Sequence, residues 1–220
     1  MQVWSQILAK PRFVLAAGFA LAVLTAVFAN ALSGASPVDV ISRPGFWALI
    51  LRWLHVLAGI VWLGFHYYFT FVQPPGSLSQ PQTTAPGAGA PQAALLQGLW
   101  LLRWAAMATL ITGLILAQLV RGVVDVLSFG AAFDFPLYEV LLALGMWLAI
   151  IMWFNTWFVV WPSLQRGLNL ENRFPELSKD QRSAAMMRAT AYGRTNVVLS
   201  IPMLLCMTAA QSVMTSGALG

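Results

Sequence analysis

Charge is what this sequence has least of. Only 9% of its 220 residues are charged, seven acidic and twelve basic, whereas 59% are hydrophobic. A soluble domain uses about a quarter of its residues as charged surface. This composition therefore argues against a water-soluble domain and predicts an integral membrane protein. Most basic residues flank the long apolar runs, so we attribute the net charge of +5 to membrane topology and expect no nucleic-acid partner.

Cysteine and histidine are also scarce. The single cysteine, Cys206, excludes an intrachain disulfide, a zinc–cysteine cluster and covalent haem attachment through a CxxCH motif. Thiols and carboxylates are too few to favour a zinc or copper site. Any metal chemistry would therefore depend on the only two histidines, His55 and His66.

Five apolar stretches have the length of about 20 residues that a helix needs to cross the hydrocarbon core. We expect an all-α integral membrane bundle of about five transmembrane helices, forming one domain over residues 1–220. The lipid bilayer would then surround most of the chain. The predicted spans are residues 13–32, 46–72, 99–120, 137–161 and 195–214.

Two segments between the spans are polar. Residues 73–97 are rich in Pro, Gly, Ser, Thr and Gln without charge, which predicts a flexible loop. Residues 163–194 hold six of the twelve basic residues. Within them, Ser178 followed by Gln181 is a capping-box pattern, which predicts a helix that continues into the fifth span. We expect Pro162 to end the fourth helix and Pro202 to kink the fifth.

The basic residues also predict the orientation. Lys10 and Arg12 precede the first span, and with five spans they lie on the same side as the basic segment 163–194. Positively charged loops face the cytoplasm. We therefore expect a bacterial inner-membrane protein with a cytoplasmic N-terminus and a periplasmic C-terminus.

Both histidines fall on one stripe of the second span. His55, Gly59, Trp62 and His66 follow one another at spacings of 4, 3 and 4 residues. The two imidazoles lie about 16 Å apart along the helix and about 20° apart around it. They cannot both bind one haem iron. His55 or His66 could bind haem b alone, or together with methionine, water or a histidine of a partner chain, and two haems at two depths are also compatible with the spacing. The alternative is that both histidines form hydrogen bonds between helices.

Further polar residues lie inside the predicted spans, where each is a candidate for function. Arg52 precedes His55 by one turn, and Arg103 and Arg194 are bases that suit haem propionates or an anionic substrate. Asn155 and Asn196 would be hydrogen-bond partners of that substrate. The alternative is that the arginines extend to lipid phosphates and the asparagines join helices.

Four runs of the sequence resemble a known family in the same order. They are RWLHVLAGIVWLGFHYYFTFVQ (residues 52–73), LLRWAAMATLITGLILA (101–117), MWFNTWFVVWPSLQRGL (152–168) and GRTNVVLSIPMLLCM (193–207). Together they resemble the urate oxidase N-terminal membrane-domain family, which is the membrane part of a bacterial urate hydroxylase. The resemblance implies haem at His55. Full-length members add a C-terminal cytochrome c domain, whereas this sequence has no CxxCH motif, so we expect a stand-alone form.

Two functions follow from these patterns. The first is an accessory or cofactor-holding membrane subunit of a respiratory or photosynthetic complex, associated with other membrane subunits or with copies of itself. The alternative is a haem-dependent membrane oxidoreductase that acts on urate or another small anion, with a separate acceptor for the electrons. The residues alone leave open whether the chain is an enzyme.

Overall fold

A computed structural model describes residues 11–34, 36–73 and 89–216, which form helices and no β-strand. The expected all-α fold is confirmed. Five helices are long and apolar enough to cross a membrane, and the chain is therefore a multi-pass membrane protein. Their candidate spanning segments are Arg12–Ser33, Pro44–Phe71, Ala94–Val120, Leu137–Gly167 and Lys179–Met214.

The described ranges contain eight α-helices and one π-helical segment. In chain order they are α1 (Pro11–Ser33), α2 (Pro37–Ser42), α3 (Pro44–Phe71), α4 (Gly89–Val120), α5 (Val123–Leu127), α6 (Leu137–Phe154), a π-helical segment (Asn155–Val160), α7 (Trp161–Gly167) and α8 (Lys179–Ser216). Two single-turn 3₁₀ helices, Ala131–Phe133 and Leu170–Asn172, lie in the connections.

The chain divides into two compact units, the first ending at Leu49. In this unit, α1 buries none of the side chains in its spanning window. The side chains of α1 are apolar on every face of the helix, as expected for a helix surrounded by lipid. Proline opens α1 and α2, because the first helical turn does not need the missing N–H group.

The second unit begins at Ile50 and contains the core. There α6, the π-helical segment and α7 follow one another as one long helix, and α8 packs along it. The helices α4 and α5 pack on α6. Trp62, Leu99, Met152 and Leu164 are fully buried at the centre. Since these side chains come from four different helical segments, the core holds α3, α4, α6 and α7 together.

The fourth span differs from its predicted end at Trp161. The helix continues through Pro162 as far as Gly167. Pro162 falls in the first turn of α7, directly after the π-helical segment, and this is a position that tolerates proline. The basic segment 163–194 therefore begins inside a helix.

The capping-box prediction is confirmed. The backbone N–H of Ser178 donates to Oε1 of Gln181 (2.9 Å), and the N–H of Gln181 donates to Oγ of Ser178 (3.2 Å). From this cap α8 runs without interruption to Ser216, with Pro202 inside it. The predicted kink and the predicted membrane orientation stay predictions.

The predicted loop 73–97 agrees only in part with the structure. Residues 74–88 lie outside the described residues, but α4 already begins at Gly89. Pro91 lies in the first turn of α4, where the missing N–H group is not needed. The last part of the predicted loop is therefore helical.

Candidate functional site

Both histidines lie on α3 at different depths. Measured along the 28-residue helix, His55 is about 4 Å and His66 about 13 Å from the midpoint, on opposite sides of it. Trp62 and His66 are buried, whereas His55 and Gly59 are only half-buried. The stripe predicted from the sequence therefore faces the core at its C-terminal end and is partly open near the midpoint of the helix.

His66 is enclosed by two polar side chains. Only 3% of its surface is exposed. Its Nε2 lies 3.4 Å from Oγ1 of Thr156 and 3.4 Å from Nδ2 of Asn196. On the other side, the Trp62 ring lies 6.0 Å away, measured between ring centroids. His66 therefore belongs to a polar layer between α3, the π-helical segment and α8.

The two asparagines complete this polar layer by bonding to one another. Nδ2 of Asn155 donates to Oδ1 of Asn196 (3.0 Å). Nδ2 of Asn196 donates to the carbonyl of Met152 (3.0 Å) and to Oγ1 of Thr156 (3.2 Å). Both amides are buried. The arrangement is that of helix-joining hydrogen bonds inside a membrane bundle.

The shorter of these bonds favour one tautomer of His66. The Thr156 hydroxyl donates to the Met152 carbonyl (2.8 Å), so towards His66 it accepts. The amide hydrogens of Asn196 have closer acceptors in the Met152 carbonyl (3.0 Å) and Oγ1 of Thr156 (3.2 Å) than in Nε2 of His66 (3.4 Å). This favours a neutral imidazole whose Nε2 carries the hydrogen and donates to Thr156. In that tautomer Nε2 has no lone pair for a haem iron.

The contacts of His55 favour a hydrogen on its other ring nitrogen, Nδ1. Its Nδ1 lies 3.0 Å from Oγ1 of Thr112, and that hydroxyl donates to the carbonyl of Ala108 (2.6 Å). Thr112 therefore accepts from Nδ1–H, which leaves the lone pair of a neutral His55 on Nε2. The ring lies over Gly113, where an added Cβ would come within 2.9 Å of Cε1. Both contacts fix the ring, and Nε2 is chemically suited to bind iron.

Only a small cavity adjoins His66. It measures about 30 Å³, and its lining includes His66, Thr70 and Arg194. This is room for about one or two water molecules, and it is too small for a porphyrin or a purine. Asn155, Asn196 and Arg103 do not line it. The structure therefore does not gather the four predicted substrate-binding residues around one cavity.

Arg103 has a different environment from the one predicted. Its guanidinium carbon lies 4.2, 4.9 and 5.4 Å from the ring centroids of Trp161, Trp157 and Trp104. The indole N–H of Trp157 donates to the Arg103 carbonyl (3.2 Å). Three aromatic faces stabilise the cation. The tryptophans at 157 and 161 were one available signal, since their spacing of four residues places them on one helix face.

Arg52 and Glu139 lie in different environments. Arg52 is half-buried on α3, one turn before His55. Glu139 is fully buried, where Oε1 accepts from the hydroxyl of Tyr138 (2.5 Å) and lies 3.6 Å from Nε of Arg121. Among the residues that the structure describes, none forms a hydrogen bond with its Oε2. Sequence reasoning missed this trio, although Tyr138 is the immediate neighbour of Glu139.

Fold and site together define the class: an all-α, multi-pass membrane protein with a buried polar layer and a half-buried histidine near the midpoint of a candidate spanning helix. Comparisons of the chain with family models, with curated proteins and with solved structures give no match.

Proposed function

We propose that the chain is an integral membrane subunit of a larger redox or bioenergetic assembly, in which a cofactor or a partner helix covers His55. The observation that carries this proposal is the environment of His55. It is half-buried, about 4 Å from the midpoint of a membrane-spanning helix, and its Nε2 carries a lone pair. His66, with comparable chemistry, is fully enclosed.

A half-open imidazole near mid-bilayer needs a partner. Lipid chains offer it neither a hydrogen-bond donor nor a metal, and unsatisfied polar groups in hydrocarbon cost several kcal/mol. Polar side chains inside a membrane therefore face protein, water or a cofactor. A group bound at Nε2 of His55 would satisfy this requirement.

Haem b is the cofactor that the family resemblance favours, and the donor set at His55 fits it. Nε2 of His55 would hold the iron, while Thr112 orients the ring through Nδ1–H. Arg52, one turn away, is the nearest base along the helix for an anionic edge of the cofactor. Such a group supplies one-electron transfer, which suits a redox assembly.

The exposed apolar surface supports association with other subunits. The described part of α1 buries none of its spanning side chains, and α3 exposes Trp47, Trp53 and Ile60. Aromatic residues are enriched at protein–protein interfaces. With the orientation predicted from the bases, the host would be a complex of the bacterial inner membrane.

The test is the absorption spectrum and subunit composition of the gently purified native assembly. We expect a Soret band that is lost in His55→Leu and retained in His66→Gln, because only His55 offers Nε2 to iron. His66→Gln is the matched control, since it removes the other imidazole of the same helix.

A preparation without a Soret band also tests the proposal. If other subunits copurify in stoichiometric amounts and His55→Leu releases them, the partner-helix form of the proposal holds. If the wild-type chain is colourless and alone, and His55→Leu behaves identically, the proposal is wrong.

A further inference from the structure

A second pocket lies where the π-helical segment and α7 pack against α8. Its volume is about 330 Å³, at the lower end of the range for ligand sites. Arginine, tyrosine and serine side chains supply its polar wall, and apolar side chains supply the rest. The lining residues are Phe158, Val159, Pro162, Ser163, Arg166, Arg188 and Tyr192.

The charge of this pocket is unbalanced. All seven acidic side chains of the sequence lie in the described ranges, and none lines the pocket. The two ion pairs found in those ranges use Arg121 and Arg173. Arg166 and Arg188 therefore present two positive charges to the same space, without a carboxylate to neutralise them.

The pocket lies at the level along the helices where lipid headgroups are expected. Arg166 follows Trp157 and Trp161 at the end of the fourth span, and tryptophan marks the membrane–water interface. Arg188 and Tyr192 are one turn apart on α8 and exposed. Phe158, also exposed, gives the pocket an apolar edge. A ligand here would have one charged end and one apolar end within reach.

We propose that this pocket binds a phosphate group, as carried by the headgroup of an anionic phospholipid. Two guanidinium groups can each form paired hydrogen bonds to phosphate oxygens. The hydroxyls of Ser163 and Tyr192 add neutral donors. A water-soluble phosphate has the same chemistry and is the competing source. This inference does not depend on the role proposed for His55.

Native mass spectrometry of the full-length chain tests the site. The protein is placed in phosphatidylcholine nanodiscs containing a minor fraction of phosphatidylglycerol, and the retained phosphatidylglycerol is counted. We expect Arg166→Gln and Arg188→Gln each to lower retention about tenfold, the effect of losing one charge-assisted hydrogen-bonding group. Lys179→Gln removes an exposed base outside the pocket and should leave retention unchanged.

Added inorganic phosphate separates the two sources. If it does not displace phosphatidylglycerol, the ligand is a lipid headgroup. If it displaces the lipid, and binds in pure phosphatidylcholine discs in an arginine-dependent way, the ligand is a soluble phosphate compound. Arg166→Lys keeps the charge and is the control for loss of lipid through misfolding. It should retain more lipid than Arg166→Gln. Equal retention in all variants, or an equal loss in Lys179→Gln, overturns the site.

Discussion

The two histidines of α3 share one stripe of one helix, yet their surroundings differ. Each ring meets a threonine hydroxyl that donates to a carbonyl one turn earlier in its own helix. Thr112 meets Nδ1 of His55, whereas Thr156 meets Nε2 of His66. The same neighbour thus leaves opposite nitrogens free. Whether a membrane histidine can bind a ligand therefore depends on how its partner hydroxyl is already bonded.

The largest expected difference is in the tautomers themselves. With ¹⁵N-histidine labelling, the chain gives signals from only two rings. At neutral pH, without bound cofactor, we expect one ring protonated at Nδ1 and the other at Nε2, because each threonine can only accept. His66→Gln should remove the Nε2–H ring. Two rings of the same tautomer would contradict the assignment.

The next largest effect should come from Asn196→Leu. This change removes the acceptor of the Asn155 amide and one donor each to the Met152 carbonyl and to Oγ1 of Thr156. We expect the free energy of unfolding to fall by about 2 kcal/mol, since three hydrogen bonds of modest worth are lost. Unfolding in mixed micelles with increasing dodecyl sulfate measures it.

Its control is Thr195→Ala, the adjacent exposed position of α8. The Thr195 hydroxyl bonds only to the carbonyl of Ala191, within its own helix. We expect a change within about 0.5 kcal/mol. If both variants lost equal stability, the polar layer would not be what joins α8 to the fourth span.

A smaller effect is expected at the other histidine from Gly113→Ala. An added Cβ would lie 2.9 Å from Cε1 of His55, so the ring must shift. We expect a loss of about 1 kcal/mol of stability from overpacking, together with a changed ¹⁵N signal of His55 alone. Gly64→Ala, on α3 with no heavy atom within 4 Å of the new Cβ, is the control and should not be destabilising. A stable Gly113→Ala with an unmoved His55 signal would rule out this packing.

The smallest effect is expected from Thr112→Val. It removes one hydrogen-bond acceptor from a half-buried ring. Interhelical hydrogen bonds in membranes average about 0.6 kcal/mol. A double-mutant cycle with His55→Leu should give a coupling of this size. A coupling of zero would mean that Thr112 does not orient the ring.

The helical fold could be predicted because its signal is compositional. Runs of about 20 apolar residues identify spans whatever the packing, and the pattern at Ser178 and Gln181 identified the start of α8. The end of the fourth helix could not be predicted by the same means. Pro162 breaks a regular helix, but the preceding π-helical segment places it in a first turn.

The sequence could predict which residues belong to the site, but it could not predict which of them are in contact. The spacing on α3 grouped His55 with His66, and polarity selected Asn155 and Asn196. Which side chains meet depends on how the helices rotate and approach, which the sequence does not encode locally. Thr112 and Thr156 carry the tautomer argument, yet threonine is common in membrane helices and neither one stood out.

The π-helical segment determines how the fourth helix responds to a change in residue count. Its wider turn accommodates one residue more than regular α-helical pairing would. Deleting one residue between 156 and 160 would therefore restore regular pairing and leave α6 and α7 in their present register. The same deletion within the regular part of α6 would rotate everything beyond it by about 100°, so one missing codon would disturb the buried layer and the basic pocket there, whereas the π-helical segment can absorb it.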